Sequence, residues 1–545
     1  MTDLEPEAEA VTAPPSLSPR HRMTVLLSMC LALVLVIAGV TMLVNALSLI
    51  AEDLNLSQAK QAWVVDAYAL PFAALLMIAG AIGDRYGRRG ALLAGTALFG
   101  FGSLLSALVS SGNELLACRA ITGVGAALIM PGTLSTITSV FPAEQRSRAV
   151  GVWSGFAMGG GTLGLLGSGL LLQQFWWGSV FVVAAGIALV TFVVIALAVP
   201  STRSSRPVSL DPAGTALSAI GVGALVFGII EGPEHGWTSL LTVGSVLLAV
   251  VALVMFVWWE LRVEEPLLDP RLFRLAGFGT GAAGLFIMFL ALFGFFLVSM
   301  QFLQLMLGYS PLKAAVALLP QMAVMIPLSI AAAPLSMRVG QRRLTTIGLV
   351  FAALGMASFA TLDAHSPYAQ FLVCIILVSI GVGLSMTPAT TAIVNALPLA
   401  KQGVASAVND TSREIGAALG VAVLGSAFNT AYRSKITPAL DGLTPETAAS
   451  VKEAPAVALE TARGLGSGGP DLTVAAQHAF ESGLRAAVLL SAALLALGAL
   501  YTWWRAPGQA EAAAPSLDDE LDALTAEALV LVEPDPRPVP CLRPC

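Results

Sequence analysis

The chain has 545 residues, of which 56% are hydrophobic and 11% are charged, and its formal net charge is −6. Its mean hydropathy is +0.82. Soluble domains contain about 25% charged residues, so this composition excludes an ordinary soluble enzyme. The basic residues are dispersed along the chain rather than clustered, which excludes the positive surface that a nucleic-acid partner requires.

Apolar segments of spanning length recur from Thr24 to Trp504. A hydrocarbon core of about 30 Å needs roughly 20 apolar residues in a helix. The segments are apolar on all sides, whereas the helices of a soluble core have one polar face. Predicted spans 1 to 14 cover residues 24–50, 61–82, 91–110, 114–139, 149–172, 179–199, 211–231, 238–260, 278–304, 312–336, 344–361, 369–396, 404–429 and 484–504. The predicted fold class is an all-α polytopic membrane protein.

The loop charges predict the orientation. The connections that follow even-numbered spans hold most of the loop arginines, whereas the short connections after odd-numbered spans hold only Lys60 and Lys313. Positively charged loops stay on the cytoplasmic side of the membrane. We therefore expect both termini to be cytoplasmic in a multi-pass protein of the plasma (inner) membrane.

Both ends of the chain differ in composition from the spans. Residues 1–23 contain acidic residues and prolines and lack the basic start of a signal peptide. Residues 506–545 are rich in alanine, proline and acids. We expect both tails to be disordered and cytoplasmic. Residues 430–483, rich in small residues, are expected to form a long outside loop, where the charge rule is weaker.

A charged, glycine-rich motif, Gly80-Ala-Ile-Gly-Asp-Arg-Tyr-Gly-Arg-Arg89, separates spans 2 and 3. A carboxylate is stabilised near a helix N-terminus by the macrodipole, and glycine lets helices and turns pack closely. We interpret the motif as a conformational clasp; the alternative is that its arginines only set topology. The clasp residues are Gly80, Gly83, Asp84, Arg85, Gly87, Arg88 and Arg89.

The clasp motif recurs in weaker form. Asp84-Arg-Tyr-Gly-Arg-Arg89 resembles Met337-Arg-Val-Gly-Gln-Arg342 after span 10, with the acid lost. Duplicated halves around a central site are a common construction of transporters. The offset predicts two six-helix pseudo-repeat halves with two extra central helices between them. The predicted division is 1–23, 24–199, 200–275, 276–505 (including the outside loop 430–483) and 506–545.

From about residue 24 to 504 the chain resembles the major facilitator superfamily, in particular its fourteen-helix drug:proton antiporters of the multidrug efflux type. The clasp motif and Leu115-Leu-Ala-Cys-Arg119-Ala-Ile-Thr-Gly123-Val-Gly125 in span 4 carry this resemblance. Segments 231–237, 266–273 and 305–311 resemble stretches typical of the fourteen-helix branch. The resemblance implies that Asp84 docks against the start of span 11 or a nearby arginine.

Two departures from the family pattern are present. The antiporter signature of span 5 carries a Gly-Pro pair where this chain has Gly160 and Gly161, and many relatives carry an aspartate in span 1 where this chain has Gly39. The glycine-rich run of span 5 is otherwise intact. The signature residues of spans 4 and 5 are Gly123, Gly125, Gly160, Gly161 and Gly164.

Ionisable residues inside spans are the candidates for proton coupling. A charge at mid-bilayer costs about 2.5–3.5 kcal/mol and usually faces a cavity or a partner. Asp66 in span 2 is expected to take and release a proton, with Arg119 in span 4 as its positive partner; the alternative is a fixed structural ion pair. Asp410, Arg413 and Glu414 in span 13 are secondary candidates, and a structural cluster is equally compatible with their spacing.

The resemblance implies a proton-coupled antiporter that exports amphipathic drugs or antibiotics by alternating access, with a small-molecule substrate, protons and the lipid bilayer as partners. The alternative is a proton-coupled or facilitative carrier of a metabolite or nutrient. We expect no catalytic residues, metal site or cofactor, because the chain lacks a Walker A motif and a His/Cys/acid cluster. A monomer is compatible with this pattern. Weak candidates for the substrate cavity are Trp63, Tyr68, Phe72, Met130, Trp153 and Phe156.

Overall fold

Long apolar helices make up most of the chain. The computed structural model describes residues 17–56, 58–201, 211–264, 266–397, 401–441, 443–465 and 469–508. Their helices are α1 (Pro19–Asp53), α2 (Gln58–Tyr86), α3 (Arg88–Ser106), α4 (Gly112–Val140), α5 (Ala143–Leu171), α6 (Ser179–Ala198), α7 (Pro212–His235), α8 (Leu240–Glu260), α9 (Ala276–Gln301), α10 (Pro311–Ala317), α11 (Leu319–Val339), α12 (Gln341–Phe359), α13 (Tyr368–Asn395), α14 (Gln402–Ile436), α15 (Pro445–Glu453), α16 (Pro455–Gly464) and α17 (Gly469–Arg505). The all-helical fold class is confirmed.

Thirteen helices within the described residues are long and apolar enough to cross a membrane, with α10 and α11 together forming one of them. Each predicted span overlaps a helix, but the 19-residue α12 is not among the thirteen. Arg342 and Arg343 in its first turn reduce the hydropathy of this helix. The count of fourteen spans therefore stays a prediction.

Side-chain caps and prolines start several helices. The carboxylate of Asp211 accepts a hydrogen bond from the backbone N–H of Ala213 (3.0 Å) at the start of α7, where Pro212 follows the cap. Ser239 accepts from the N–H of Thr242 (3.2 Å) at the start of α8. Such caps satisfy N–H groups that have no partner within the helix.

Two single-residue turns have the same geometry. Gly87 joins α2 to α3 with φ 109° and ψ 130°, and Gly340 joins α11 to α12 with φ 91° and ψ 141°. The N–H of Gly87 donates to the Gly83 carbonyl (3.1 Å), and that of Gly340 donates to the Ser336 carbonyl (2.9 Å). Glycine is required because a side chain is strained at these positive φ values. The two clasp-like motifs thus fold alike despite the loss of the acid.

The helices of the first and last parts of the chain have matching neighbours. α1 packs on α5 and α6, α2 on α4, and α3 on α4 and α6. In the same order, α9 packs on α14 and α17, α11 on α13, and α12 on α13 and α17. Glycine permits the closest approaches: a Cβ added at Gly164 of α5 would lie 2.9 Å from the Ala38 Cα of α1.

The described residues up to Ala506 form a single compact unit. Helix α7 packs on α2 and α14, and α8 packs mainly on α7. Most apolar side chains of α8 are exposed, which suits contact with lipid. The segment 430–483 is more helical than its composition indicates, because it contains the end of α14, all of α15 and α16, and the start of α17. Residues 1–16 and 509–545, most of both predicted tails, lie outside the described residues.

Candidate functional site

A cavity of about 480 Å³ lies among the helices of the first and last parts of the chain. Its walls come from α1, α2, α4, α5, α7, α9, α11, α13 and α14, with Leu318 between α10 and α11. Most of the lining side chains are aliphatic or aromatic. This volume and composition suit a small organic ligand with a large apolar surface.

Aromatic rings from two helices face this cavity. Tyr68 and Phe72 of α2 lie with their ring centroids 5.7 Å apart. Phe289 and Phe293 of α9 stack at 5.8 Å with an interplanar angle of 26°. Aromatic faces attract cations as well as apolar groups. The sequence predicted the α2 rings but not those of α9, whose phenylalanines are indistinguishable by composition from residues that face lipid.

Two carboxylates, on different helices, line the cavity. Asp66 of α2 and Glu414 of α14 are both half-buried. Asp66 lies about 27 Å along α2 from Asp84, and Glu414 lies about 16 Å along α14 from Gly403, at 1.5 Å per residue. Because Asp84 contacts Gly403, the two acids occupy different heights in the cavity. The cavity therefore presents two carboxylates at different heights.

A buried ion pair lies one turn from Glu414. The Asn409 side-chain amide donates to Asp410 Oδ1 (3.0 Å), and Arg413 Nη1 lies 3.7 Å from the same oxygen. The Arg413 guanidinium also lies 4.6 Å from the ring centroid of Phe289 and reaches the cavity. Asp410 is fully buried. This geometry places Asp410 as the counter-ion of Arg413, while Glu414 faces the cavity.

Arg119 does not line the same cavity as Asp66. Its Nε donates to the Val64 carbonyl (3.3 Å), and its guanidinium lies 4.6 Å from the Tyr68 ring centroid. It borders a separate space of about 10 Å³ together with Gly39. Arg119 therefore contacts Tyr68, which lines the central cavity, but does not line that cavity itself.

The clasp joins α2 to the start of α14. The Asp84 carboxylate accepts hydrogen bonds from the N–H groups of Gly403 (2.8 and 3.0 Å) and Val404 (3.3 Å). Arg88 forms a 3.0 Å ion pair with Asp84 and donates to the Ser135 carbonyl of α4 (3.1 Å). The arginine partner is as expected. The helix is α14, which is the thirteenth predicted span rather than the eleventh.

The remaining clasp residues surround this contact. A Cβ added at Gly80 would lie 2.9 Å from the Ala407 Cβ of α14, so glycine is needed for the two helices to meet. Gly83 accepts the hydrogen bond of the turn at Gly87. Arg89 donates to the Ala196 carbonyl of α6, and the side chain of Arg85 is exposed.

Gly123, Gly125 and Gly164 are sites of close helix packing, whereas a Cβ at Gly160 or Gly161 would make only ordinary van der Waals contacts. Added Cβ atoms would lie 2.9 Å from Pro71 Cγ at Gly123, 3.0 Å from Phe99 Cα at Gly125, 3.4 Å from Val34 Cα at Gly160 and 3.5 Å from Thr41 Cγ2 at Gly161. Gly161 also lines the cavity. Close packing of α5 on α1 is thus retained without the family's proline.

Three of the six weak cavity candidates, Tyr68, Phe72 and Met130, line the cavity. Trp153 instead lies fully buried and donates to the Thr133 hydroxyl (3.0 Å). Trp63 packs against Phe227 of α7 (5.8 Å between centroids), and Phe156 packs on the core. The rotation of each helix decides these outcomes, and composition does not specify it.

The family model described as Major Facilitator Superfamily matches residues 29–421. The multidrug efflux pump LfrA of Mycolicibacterium smegmatis is 35% identical over 88% of this chain and 95% of its own length. The multidrug resistance protein Stp of Mycobacterium tuberculosis is 33% identical over 86% of this chain and 89% of its own. The crystal structure of the human organic anion transporter MFSD10 (TETRAN) matches with a TM-score of 0.60 at 13% identity, covering 89% of this chain and 100% of that one, which supports the fold alone.

The buried pair generates a stability prediction. Asp410→Asn should lower the free energy of unfolding by about 3–5 kcal/mol, because it leaves the buried Arg413 guanidinium without its counter-ion. Glu414→Gln, one turn away on the cavity face, should have a much smaller effect. Thermal unfolding of the purified proteins in detergent measures both changes. Equal losses of stability in the two variants would show that Asp410 is not the structural partner of Arg413.

Proposed function

This chain belongs to the major facilitator superfamily, and we propose that it is a proton-coupled antiporter that exports amphipathic drugs or antibiotics by alternating access. It is a multi-pass membrane transporter of small molecules, not an enzyme. The names of LfrA, a multidrug efflux pump, and of Stp, a multidrug resistance protein, support drugs as the substrate class. The observation that carries the proposal is the mainly apolar cavity with aromatic rings and two carboxylates.

An amphipathic organic cation fits this cavity by its chemistry. Its apolar rings would pack against Phe72, Phe289 and Phe293, and its positive charge would lie near Asp66 or Glu414. Aromatic faces and carboxylates both stabilise a cation that has left water. A broad apolar surface with few fixed hydrogen bonds accepts substrates of different shapes.

Proton coupling follows if substrate and proton compete for one carboxylate. A carboxylate inside the membrane is costly when ionised, so loss of the bound cation favours its protonation. We assign this role first to Asp66, with Arg119 acting on it through Tyr68. The proton gradient would then be the energy source, and no cofactor is needed.

The proposed architecture is fourteen spans, arranged as two six-helix halves with α7 and α8 between them. The matching helix neighbours and the identical turns at Gly87 and Gly340 support this division. α12 runs antiparallel to α17 over its whole length: Arg342 lies over the Trp503 ring (4.9 Å), and Arg485 donates to the Ala360 carbonyl (3.1 Å). Such a path is expected of a helix that crosses the membrane.

The clasp joins the two proposed halves, because α2 belongs to one and α14 to the other. Alternating access requires a contact between the halves that forms in one state and breaks in the other. The hydrogen bonds of Asp84 to the first turn of α14 suit this role. With both termini cytoplasmic in the plasma (inner) membrane, the clasp would close the cytoplasmic side.

A metabolite carrier on the same fold is the second candidate. Sites for polar metabolites are lined by several fixed hydrogen-bonding groups, whereas most of the described lining of this cavity is apolar. Its neutral hydrogen-bonding side chains are Thr41, Tyr68, Thr162, Ser299, Gln321 and Ser379. The apolar walls therefore favour the drug exporter.

Proton coupling gives a direct test of the function. In proteoliposomes, a pH gradient should drive accumulation of tetraphenylphosphonium by the wild-type protein. Asp66→Asn should reduce or abolish this accumulation, because the group that alternates between proton and cation is lost, while downhill exchange of the cation is less affected. Proton flux and cation uptake are measured together.

Glu446→Gln is the matched control, since it removes an exposed carboxylate of α15 outside the cavity. It should leave coupling unchanged. An unchanged proton-to-substrate ratio in Asp66→Asn would contradict the assignment and make Glu414 the leading carrier. Absence of any substrate-dependent proton flux in the wild type would contradict antiport itself.

The fourteen-span topology is tested at α12. Reporters fused after Gly340 and after His365 should lie on the cytoplasmic and the outer side, respectively, because the 19-residue helix between them spans about 28 Å. Paired alkaline phosphatase and green fluorescent protein fusions measure the side. The same side for both positions would leave thirteen spans and contradict the two-halves model.

A further inference from the structure

Helix α7 closes the cavity where α2 and α14 would otherwise border the lipid. Ala73 of α2 and Val222 and Val226 of α7 form one buried apolar cluster, against which Ile415 of α14 packs. A Cβ added at Gly223 would lie 3.3 Å from the Ala74 Cβ of α2. α7 therefore packs against both helices that carry the cavity acids.

One face of α7 belongs to the cavity. Val226, Ile229 and Ile230 line it, and residues three and four apart lie on the same side of a helix. Another face packs on α8, where Cβ atoms added at Gly221 and Gly228 would lie 2.7 Å from Leu253 Cδ2 and 2.9 Å from Val246 Cγ2. The glycines allow α7 to pack closely on α8, while the aliphatic residues on its other face line the cavity.

The opposite side of the cavity is built differently. There α5 and α11 pack directly, and a Cβ added at Gly159 would lie 2.7 Å from Met322 Cε. Within the described residues, neither α7 nor α8 packs on α5 and α11 as α7 packs on α2 and α14. The wall formed by α7 is thus a separate aliphatic surface that the pseudo-repeat does not supply.

The α7 wall and the Asp66 carboxylate lie at similar heights along their helices. Gly223 lies beside Ala74, and Phe227 packs on Trp63, so the two helices run in opposite directions. From that point Ile229 is about 9 Å along α7 and Asp66 about 12 Å along α2 in the same direction. Ile229 therefore lies near the level of Asp66.

We propose that α7 is part of the substrate site, with Val226 and Ile229 contacting the apolar portion of a bound amphipathic cation and setting the bulk that the cavity accepts. This inference rests on the proposed export function. A cation held at Asp66 has the α7 wall beside it, so the size of these two side chains limits the substituents that fit. Discrimination by such an apolar wall depends on shape rather than on charge.

The test uses two cationic probes of different bulk, the flat methyl viologen and the four-ring tetraphenylphosphonium. Ile229→Trp should lower efflux of tetraphenylphosphonium about ten-fold relative to methyl viologen, because the indole fills the cavity. Ile229→Ala should shift the ratio the other way. Ile220→Trp is the matched control, since Ile220 is an exposed residue of α7 outside the cavity lining, and it should leave the ratio unchanged.

The outcomes separate the two proposals. If the wild-type protein exports neither probe, the proposed function is overturned, and this inference with it. Wild-type efflux with equal changes for both probes in Ile229→Trp, or with no change, would overturn the inference and leave the function standing. If substitution at Ile229 unpacked α7 and impaired folding, Ile229→Ala would also lower the efflux of both probes. The ratio of the two efflux rates would then not shift.

A labelling measurement tests the placement of the wall without transport. In the purified protein, Ile229→Cys should react with N-ethylmaleimide faster than Ile220→Cys, because the reactive thiolate forms only where water reaches it. Tetraphenylphosphonium should slow the reaction of Ile229→Cys. Slower reaction at position 229 than at position 220, or no protection by the cation, would overturn the proposal.

Discussion

The rest of the structure depends on one interaction, the hydrogen bonding of the Asp84 carboxylate to the first turn of α14. Asp84 is 1% exposed, and a carboxylate buried to this extent is costly unless every oxygen has a partner. Two backbone N–H groups of α14 and the guanidinium of Arg88 supply these partners. Because Arg88 also donates to the Ser135 carbonyl, one charge fixes α2, α3, α4 and α14 together.

The same two helices carry the acids of the cavity. Along α2 the chain passes from Asp84 to Asp66, with Pro71 between them, and along α14 it passes from Gly403 to Glu414. A proline inside a helix removes a backbone hydrogen bond and permits a bend. In the proposed alternating-access cycle, release of the clasp would change the separation of the two carboxylates and so link the contact between the two proposed halves to the chemistry of the cavity.

Hydropathy alone predicted where helices form, because a spanning helix must be apolar along its whole length. The charged, glycine-rich motif identified the clasp residues as a unit, since they are adjacent in sequence. The sequence did not predict that Asp84 meets α14, because that contact joins residues more than 300 positions apart. Nor did it predict that Arg119 and Asp66 face different spaces, since this depends on the rotation of α2 and α4. The sequence did not predict the α7 wall, because Val226 and Ile229 are aliphatic residues that would suit a lipid-facing surface equally well.

The distance across the clasp tests the central claim most directly. Tyr86 and Met337 are exposed, at 58% and 64%, near the ends of α2 and α11. Spin labels at these positions, measured by double electron–electron resonance, report the separation of the two proposed halves. We expect one narrow distance in the otherwise unaltered protein and an added longer population in Asp84→Asn, whose side chain has lost the charge that holds α14. Identical distance distributions in the two proteins would contradict the central claim.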